Sequence, residues 1–202
     1  MASALTFTQL LSASTVAGSF FFVGDVAAQL LAGPPKQANA GLATAAGQTL
    51  IRFKDWDQER TLKMSLFGIG VNGWYFLTGF HILDRIFGPA KTLKVATTKA
   101  VVNQIMFSPP YLTAFLLYSA AFVRPEKGVD PWDTVVTKFP GLYATAWSVW
   151  PAVNVISFKF VPPGLARVAF MNATGLLWSS YMVRVGAAKS SSVDEIEVEY
   201  AL

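Results

Sequence analysis

The sequence predicts an all-α fold: a polytopic bundle of transmembrane helices, four to five in number and at most six, with one short interfacial helix. Three observations lead there. Only 14% of the 202 residues are charged, against about 25% in a soluble domain. Mean hydropathy is +0.43, so the chain as a whole is more apolar than polar. Five long stretches are nearly free of charge and are separated by charged or Gly/Pro-rich links, the pattern of membrane helices and their loops. The length fits one helical membrane domain over 1–189, with segments near 4–31, 60–86, 95–123, 139–161 and 164–186. An acidic, disordered tail is expected at 190–202.

Ala2 to Gly24 carries no charge. A helix of about 23 residues is roughly 35 Å long and crosses a bilayer core of about 30 Å. No basic region precedes it, so neither a cleaved secretory signal nor a matrix presequence is expected. Ser14 and Gly18, and Gly24 and Ala28, are small residues four apart, suited to close helix contact in lipid. Asp25 and Gln29 share a face. The acid must meet a neighbouring helix, water or the headgroup zone. Residues 33–56 read as a loop holding a short helix from Gly41 to Ile51.

Asp57 begins the second segment. Met64 to Phe80 is uncharged and contains Gly68, Gly70, Gly73 and Gly79. Such glycines weaken a soluble helix but admit a neighbour in a membrane. His81, Asp84 and Arg85 end the segment, and Gly88-Pro89 closes it. Lys91, Lys94 and Lys99 flank the third segment. It carries Asn103 and Gln104 one turn in, and Pro109-Pro110 is expected to break its middle. Asp130-Pro131 reads as an N-cap followed by Pro at the first helical position, opening an interfacial helix from Trp132 to Phe139.

The fourth segment places Trp147, Pro151, Asn154 and Phe158 on one face. Pro151 is expected to kink it, with Asn154 and Ser157 forming a polar strip beside the kink. Pro162-Pro163-Gly164 stops it. Val168 to Val183 is the fifth segment, short but extended by snorkelling of Arg167 and Arg184. No repeat of fixed period is visible, and basic residues in every link leave no charge asymmetry to orient the chain.

The net charge of +4 conceals four acids, Asp194, Glu195, Glu197 and Glu199, within the last ten residues. The basic surplus elsewhere is spread along the links. It reads as membrane-flanking charge, and no nucleic-acid binding is expected. There is no cysteine, which excludes disulfides and a thiol nucleophile. His81 stands alone, so no metal cluster forms around it. Gly68-x-Gly70-x-x-Gly73 spells a dinucleotide-like pattern, but it lies inside an apolar helix rather than after a strand. Neither a cofactor nor enzymatic activity is expected.

Polar residues inside membrane segments are the site candidates, because each is costly in lipid. Asp25, Gln29, Arg60, Lys99, Asn103, Gln104, Asn154 and Arg167 either line an aqueous path or tie helices together. Asp25 is expected to pair with Arg60 or Lys99. Trp74, Tyr75, Trp147, Trp150 and Trp178 serve as interface anchors or packing, with a planar-ligand site as the alternative.

These motifs together resemble the Mpv-seventeen family of organelle membrane proteins, which includes the peroxisomal membrane protein of twenty-two kilodaltons. The residues that carry the resemblance are Gly24-Asp25 with Gln29, Asp57-x-x-Arg60-Thr61, Trp74-Tyr75, Leu83-Asp84-Arg85, and Lys99 with Gln104 and Pro109. The C-terminal part adds Trp147-x-x-Trp150-Pro151, Phe158, Val161-Pro162, Arg167 and Trp178-x-x-Tyr181. The chain differs in having Asn103 before Gln104, and Gly70-Val71-Asn72-Gly73 ahead of Trp74. The resemblance implies an integral helical protein of an organelle membrane, in a family usually drawn with four spans. Some of its members are considered pore-forming, and it is associated with mitochondrial DNA maintenance and reactive-oxygen metabolism.

The preferred reading is a weakly selective channel or pore for ions or small metabolites, in the mitochondrial inner membrane or, alternatively, the peroxisomal membrane. Its partners are the lipid bilayer and a second copy of the chain. The alternative is a non-conducting organising protein that recruits partners through its acidic tail. An alternating-access carrier is the weaker third reading, since it requires an internal repeat. The ending Tyr200-Ala201-Leu202 is not a peroxisomal S-K-L address.

Overall fold

A computed structural model describes residues 4–32 and 56–178. Five helices make up the described chain, and no strand occurs among these residues. Helix α1 spans Phe7–Ala32, α2 spans Gln58–Phe87 and α3 spans Leu93–Val123. Helix α4 spans Pro131–Phe160, and α5 runs from 165 to 178, the last described residue. The short helix expected from Gly41 to Ile51, the tail at 190–202 and Arg184 lie outside the described residues.

Each start is fixed locally. Thr6 and Gln9 form a reciprocal capping box on α1, with Gln9 N–H donating to Thr6 Oγ1 at 3.3 Å and Thr6 N–H to Gln9 Oε1 at 2.9 Å. Asp57 caps α2 by accepting from Arg60 N at 2.9 Å. Thr92 caps α3 through Val95 N, and Asp130 caps α4 through Trp132 N with Pro131 at the first position. Gly88, at φ +70°, turns the chain out of α2.

Two differences from expectation appear. The stretch Trp132 to Phe139 is not a separate interfacial helix but the first part of α4, which runs unbroken through Pro140 and Pro151. The Asp130 cap nucleates it, and neither Pro140-Gly141 nor Pro151 stops it before Val161. Nor do Pro109 and Pro110 break α3. A π-turn at Asn103–Phe107 precedes them and delivers both to the start of a new α segment, where a missing N–H is tolerated. Tyrosines from neighbouring helices take up carbonyls there: Tyr143 OH donates to Gln104 O at 3.1 Å and Tyr75 OH to Phe107 O at 2.8 Å. Tyr143→Phe is therefore expected to lower stability by about 1–2 kcal/mol, the cost of a buried carbonyl left unpaired, read as a lower thermal midpoint in detergent.

Helices α1, α2 and α3 are long and apolar enough to cross a membrane. Helix α4 is long enough as well, but its Trp, Tyr, Pro, Asn and Ser residues make it less apolar. The described part of α5 is too short to span by itself. Helix α1 lies along α2, and α4 lies along α3. The fifth helix closes the bundle across both pairs: Val168 packs with Ala13 and Leu77, and Met171 with Phe80, Leu83 and Phe158.

The α1–α2 seam is built on small residues. A Cβ at Gly73 would sit 2.4 Å from Ala13 O, and one at Gly68 would sit 2.9 Å from Gly18 Cα. Backbones touch there, which supplies the dispersion contact that drives association in lipid. Gly70 faces open space. Gly24 faces α5, where a Cβ would lie 3.3 Å from Leu176 Cδ1.

Candidate functional site: two ion clusters and an amide interior

The expected polar residues gather in three places along the bundle. At one end, where α1 finishes and α2 begins, Asp25 is 4% exposed. Arg60 Nη2 lies 2.8 Å from Asp25 Oδ1. Thr61 Oγ1 and Gln29 Nε2 each donate to Asp25 Oδ2 at 2.7 Å. Gln29 Oε1 also accepts from Asp57 N at 2.9 Å, and Trp56 Nε1 donates to Thr61 Oγ1 at 2.8 Å. A buried carboxylate with one cation and two neutral donors is well satisfied. Of the two partners expected for Asp25, the fold brings Arg60 and not Lys99.

Lys99 lies at the other end. Its ammonium is fully buried and sits 2.6 Å from Asp84 Oδ1, while also donating to Gly88 O. Arg167 Nη1 approaches Asp84 Oδ2 at 2.8 Å, and Nη2 donates to Val161 O at 3.2 Å. Both cations stand over the Phe158 ring, at 5.5 Å for Lys99 and 4.8 Å for Arg167, which adds cation–π attraction in a dry setting. Asp84 thus joins α2, α3 and α5 through one carboxylate shared by two cations. Thr61 and Asp84 lie 23 residues apart along α2, roughly 35 Å by the helical rise. The ion clusters therefore bracket a thickness close to that of a bilayer core.

Between them lies a set of buried amides and hydroxyls. Asn103 Nδ2 donates to Asn154 Oδ1 at 3.4 Å, and Asn154 Nδ2 donates to Trp150 O at 2.8 Å. Gln104 Oε1 accepts from Ser108 Oγ, and Asn72 Nδ2 donates to Tyr111 OH. Ser157 is fully buried. Asn72 Oδ1, Asn103 Oδ1, Gln104 Nε2, Ser157 Oγ and Arg167 Nε are buried and have no protein partner. Groups of this kind are normally satisfied, so such a set along one interior stands out.

Of the eight sequence candidates, Asp25, Lys99, Asn103, Gln104, Asn154 and Arg167 are buried and Gln29 and Arg60 are half-buried at one end of the bundle; they fall in three groups rather than one. Sequence reasoning missed Asp84 as the hub of its cluster, and did not place Thr61, Asn72 and Ser157 among the candidates. A signal for Asp84 existed: it is the sole acid between Glu59 and Glu126, and two cations inside membrane segments needed one.

The aromatic and proline motif residues divide. Trp74 and Trp147 are exposed, but Trp74 lies about midway between Thr61 and Asp84 along α2, away from either boundary. Tyr75 is half-buried on Phe107 O, and Trp150 packs against the core and faces Gly175. Phe158 lies beneath the cations and against Phe80. Pro109 and Pro151 sit within continuous helices, Pro162 lines the turn between α4 and α5, and Trp178 is half-buried at the end of the described chain.

A helical bundle with apolar spans, paired charges at both ends and buried amides in its interior defines a polytopic membrane protein. Residues 122–183 match the Mpv17 / PMP22 family. The chain is 32% identical over 173 residues to a Xenopus laevis protein named mitochondrial inner membrane protein Mpv17, covering 82% of this chain and 83% of the relative. It is 30% identical over 174 residues to protein sym-1 of Neurospora crassa, covering 86% and 89%. It is 29% identical over 148 residues to PXMP2/4 family protein 4 of Dictyostelium discoideum, covering 70% and 76%. The chain belongs to the Mpv17 / PMP22 family of organelle membrane proteins. No solved structure matches it.

Proposed function

We propose that the chain forms a weakly selective pore for small hydrophilic solutes in an organelle membrane. The mitochondrial inner membrane is favoured, as in the names of several relatives, and the peroxisomal membrane is the alternative. The observation that carries this reading is the interior set Asn72, Gln104, Asn103 and Ser157, each with a buried polar atom that lacks a protein partner. These atoms are closed off from solvent in this structure, so bound water supplies such partners, and a solute path along them requires the helices to part. Asp84 with Lys99 and Arg167 stands at one mouth, and Asp25 with Arg60 at the other.

The second reading, a non-conducting organising protein, draws on a different observation. The ionic candidates Asp25, Arg60, Asp84, Lys99 and Arg167 are all paired across helices. Such ties hold a bundle without transport.

Planar-bilayer recording on the purified chain separates the two readings. A pore gives discrete events, and Ser157→Val is expected to lower unitary conductance while thermal stability in detergent holds. Silence from folded protein across voltage would establish the organising role instead.

A further inference from the structure

The end of the bundle that holds Asp84 opens into a cavity of about 1060 Å³. Its walls come from the first turn of α1, the end of α2, the link at Gly88–Lys91, the end of α4 and the turn into α5. Four cations line it: Arg85, Lys91, Lys159 and Arg167. Asp84 is the one carboxylate on the wall, and both of its oxygens are engaged by Lys99 and Arg167. The cavity is therefore strongly positive, with low-dielectric walls that focus the field.

Two features of the wall are unspent. Arg167 is 3% exposed and its Nε–H has no partner, although its other two nitrogens are bound. Gly164, at φ +91°, starts α5 in the same wall, where first-turn N–H groups lack intrahelical acceptors. Arg85 and Lys91 are exposed and make no ion pair among the described residues, while Lys159 reaches the carbonyl of Lys91. A guanidinium donor, a helix start and three further cations around one space match the tetrahedral oxygens and charge of a phosphate group.

We propose that this cavity binds a phosphate-bearing anion, held by Arg85, Lys91 and Lys159 and drawn toward the wall formed by Arg167 and the start of α5. Its volume accommodates more than the phosphate itself, so the group arrives on a small organic molecule or on the headgroup of an anionic lipid. The inference concerns binding and holds whether or not the chain conducts.

The test uses the full chain in nanodiscs of neutral phosphatidylcholine and follows pyrophosphate binding by calorimetry. The wild type is expected to bind saturably. Arg85→Gln with Lys91→Gln is expected to weaken binding by about tenfold or more, the loss of charged hydrogen bonds. The thermal midpoint without pyrophosphate should stay unchanged, since both side chains are exposed and make no ion pair. Nanodiscs doped with phosphatidylglycerol then identify the source. Loss of pyrophosphate binding there assigns the site to a lipid headgroup, and retained binding assigns it to a soluble phosphate. No saturable binding by folded wild type, or equal affinity in the double variant, would overturn the proposal.

Discussion

Asp84→Asn is expected to be the most damaging single substitution in the chain. It leaves the shape of the side chain nearly intact and removes the charge. Lys99, fully buried, and Arg167, 3% exposed, would then face each other across a neutral amide. Breaking a buried pair by removing one partner costs about 3–5 kcal/mol, and here two cations depend on one acid. Lys99, with none of its side chain exposed, has no direct route to water. The measurement is a thermal or denaturant midpoint in detergent, which should fall sharply. Lys99→Gln should cost less, because Arg167 remains to neutralise Asp84. A double variant of Asp84→Asn with Lys99→Gln should recover part of the loss, as a double-mutant cycle on a coupled pair does. A similar midpoint for Asp84→Asn and wild type would show that the carboxylate is not the hub of the cluster.

Gly73→Ala is the second. The added Cβ would lie 2.4 Å from Ala13 O and 2.5 Å from Ser14 Cα. Those are backbone atoms of α1 and cannot swing aside, so the two helices must separate along the seam. Overpacking of this kind costs about 1–3 kcal/mol, and in lipid the lost van der Waals contact is the force that holds the pair together. Gly70→Ala, three residues away, meets nothing within 4 Å. It should be neutral or gain as much as about 1 kcal/mol from helix propensity. Equal stability of the two variants would contradict the close approach of α1 and α2.

That pair of glycines shows where sequence reasoning stopped. All four glycines of α2 read alike in the sequence, as small residues that admit a neighbour. Which of them meets a backbone depends on the rotation of α2 about its axis. The π-turn at Gly68–Asn72 alters that rotation, because one extra residue shifts the face that follows it by roughly 100°. Pro109-Pro110 is a similar case. Proline chemistry alone forecast a break, yet the carbonyl partners that keep α3 continuous come from Tyr75 on α2 and Tyr143 on α4, distant in sequence.

The sequence by itself determined the class of fold, the positions of the apolar segments and the set of polar residues that must be hidden. Lipid penalises charge so heavily that an uncharged run and its interruptions are legible from composition and order alone. Motif spacing also sufficed for the family. Only the tertiary structure decided the pairing. Asp25 had two cations to choose from, and Arg60 won because the start of α2 packs on the end of α1, whereas Lys99, in the second turn of α3, lies at the opposite end of the bundle. The Asp84–Lys99–Arg167 cluster joins three helices separated by 15 and 83 residues from their hub. No local periodicity reports a contact of that kind. It is fixed by which helices pack together, and α5, lying across both pairs, is the element that brings Arg167 to it.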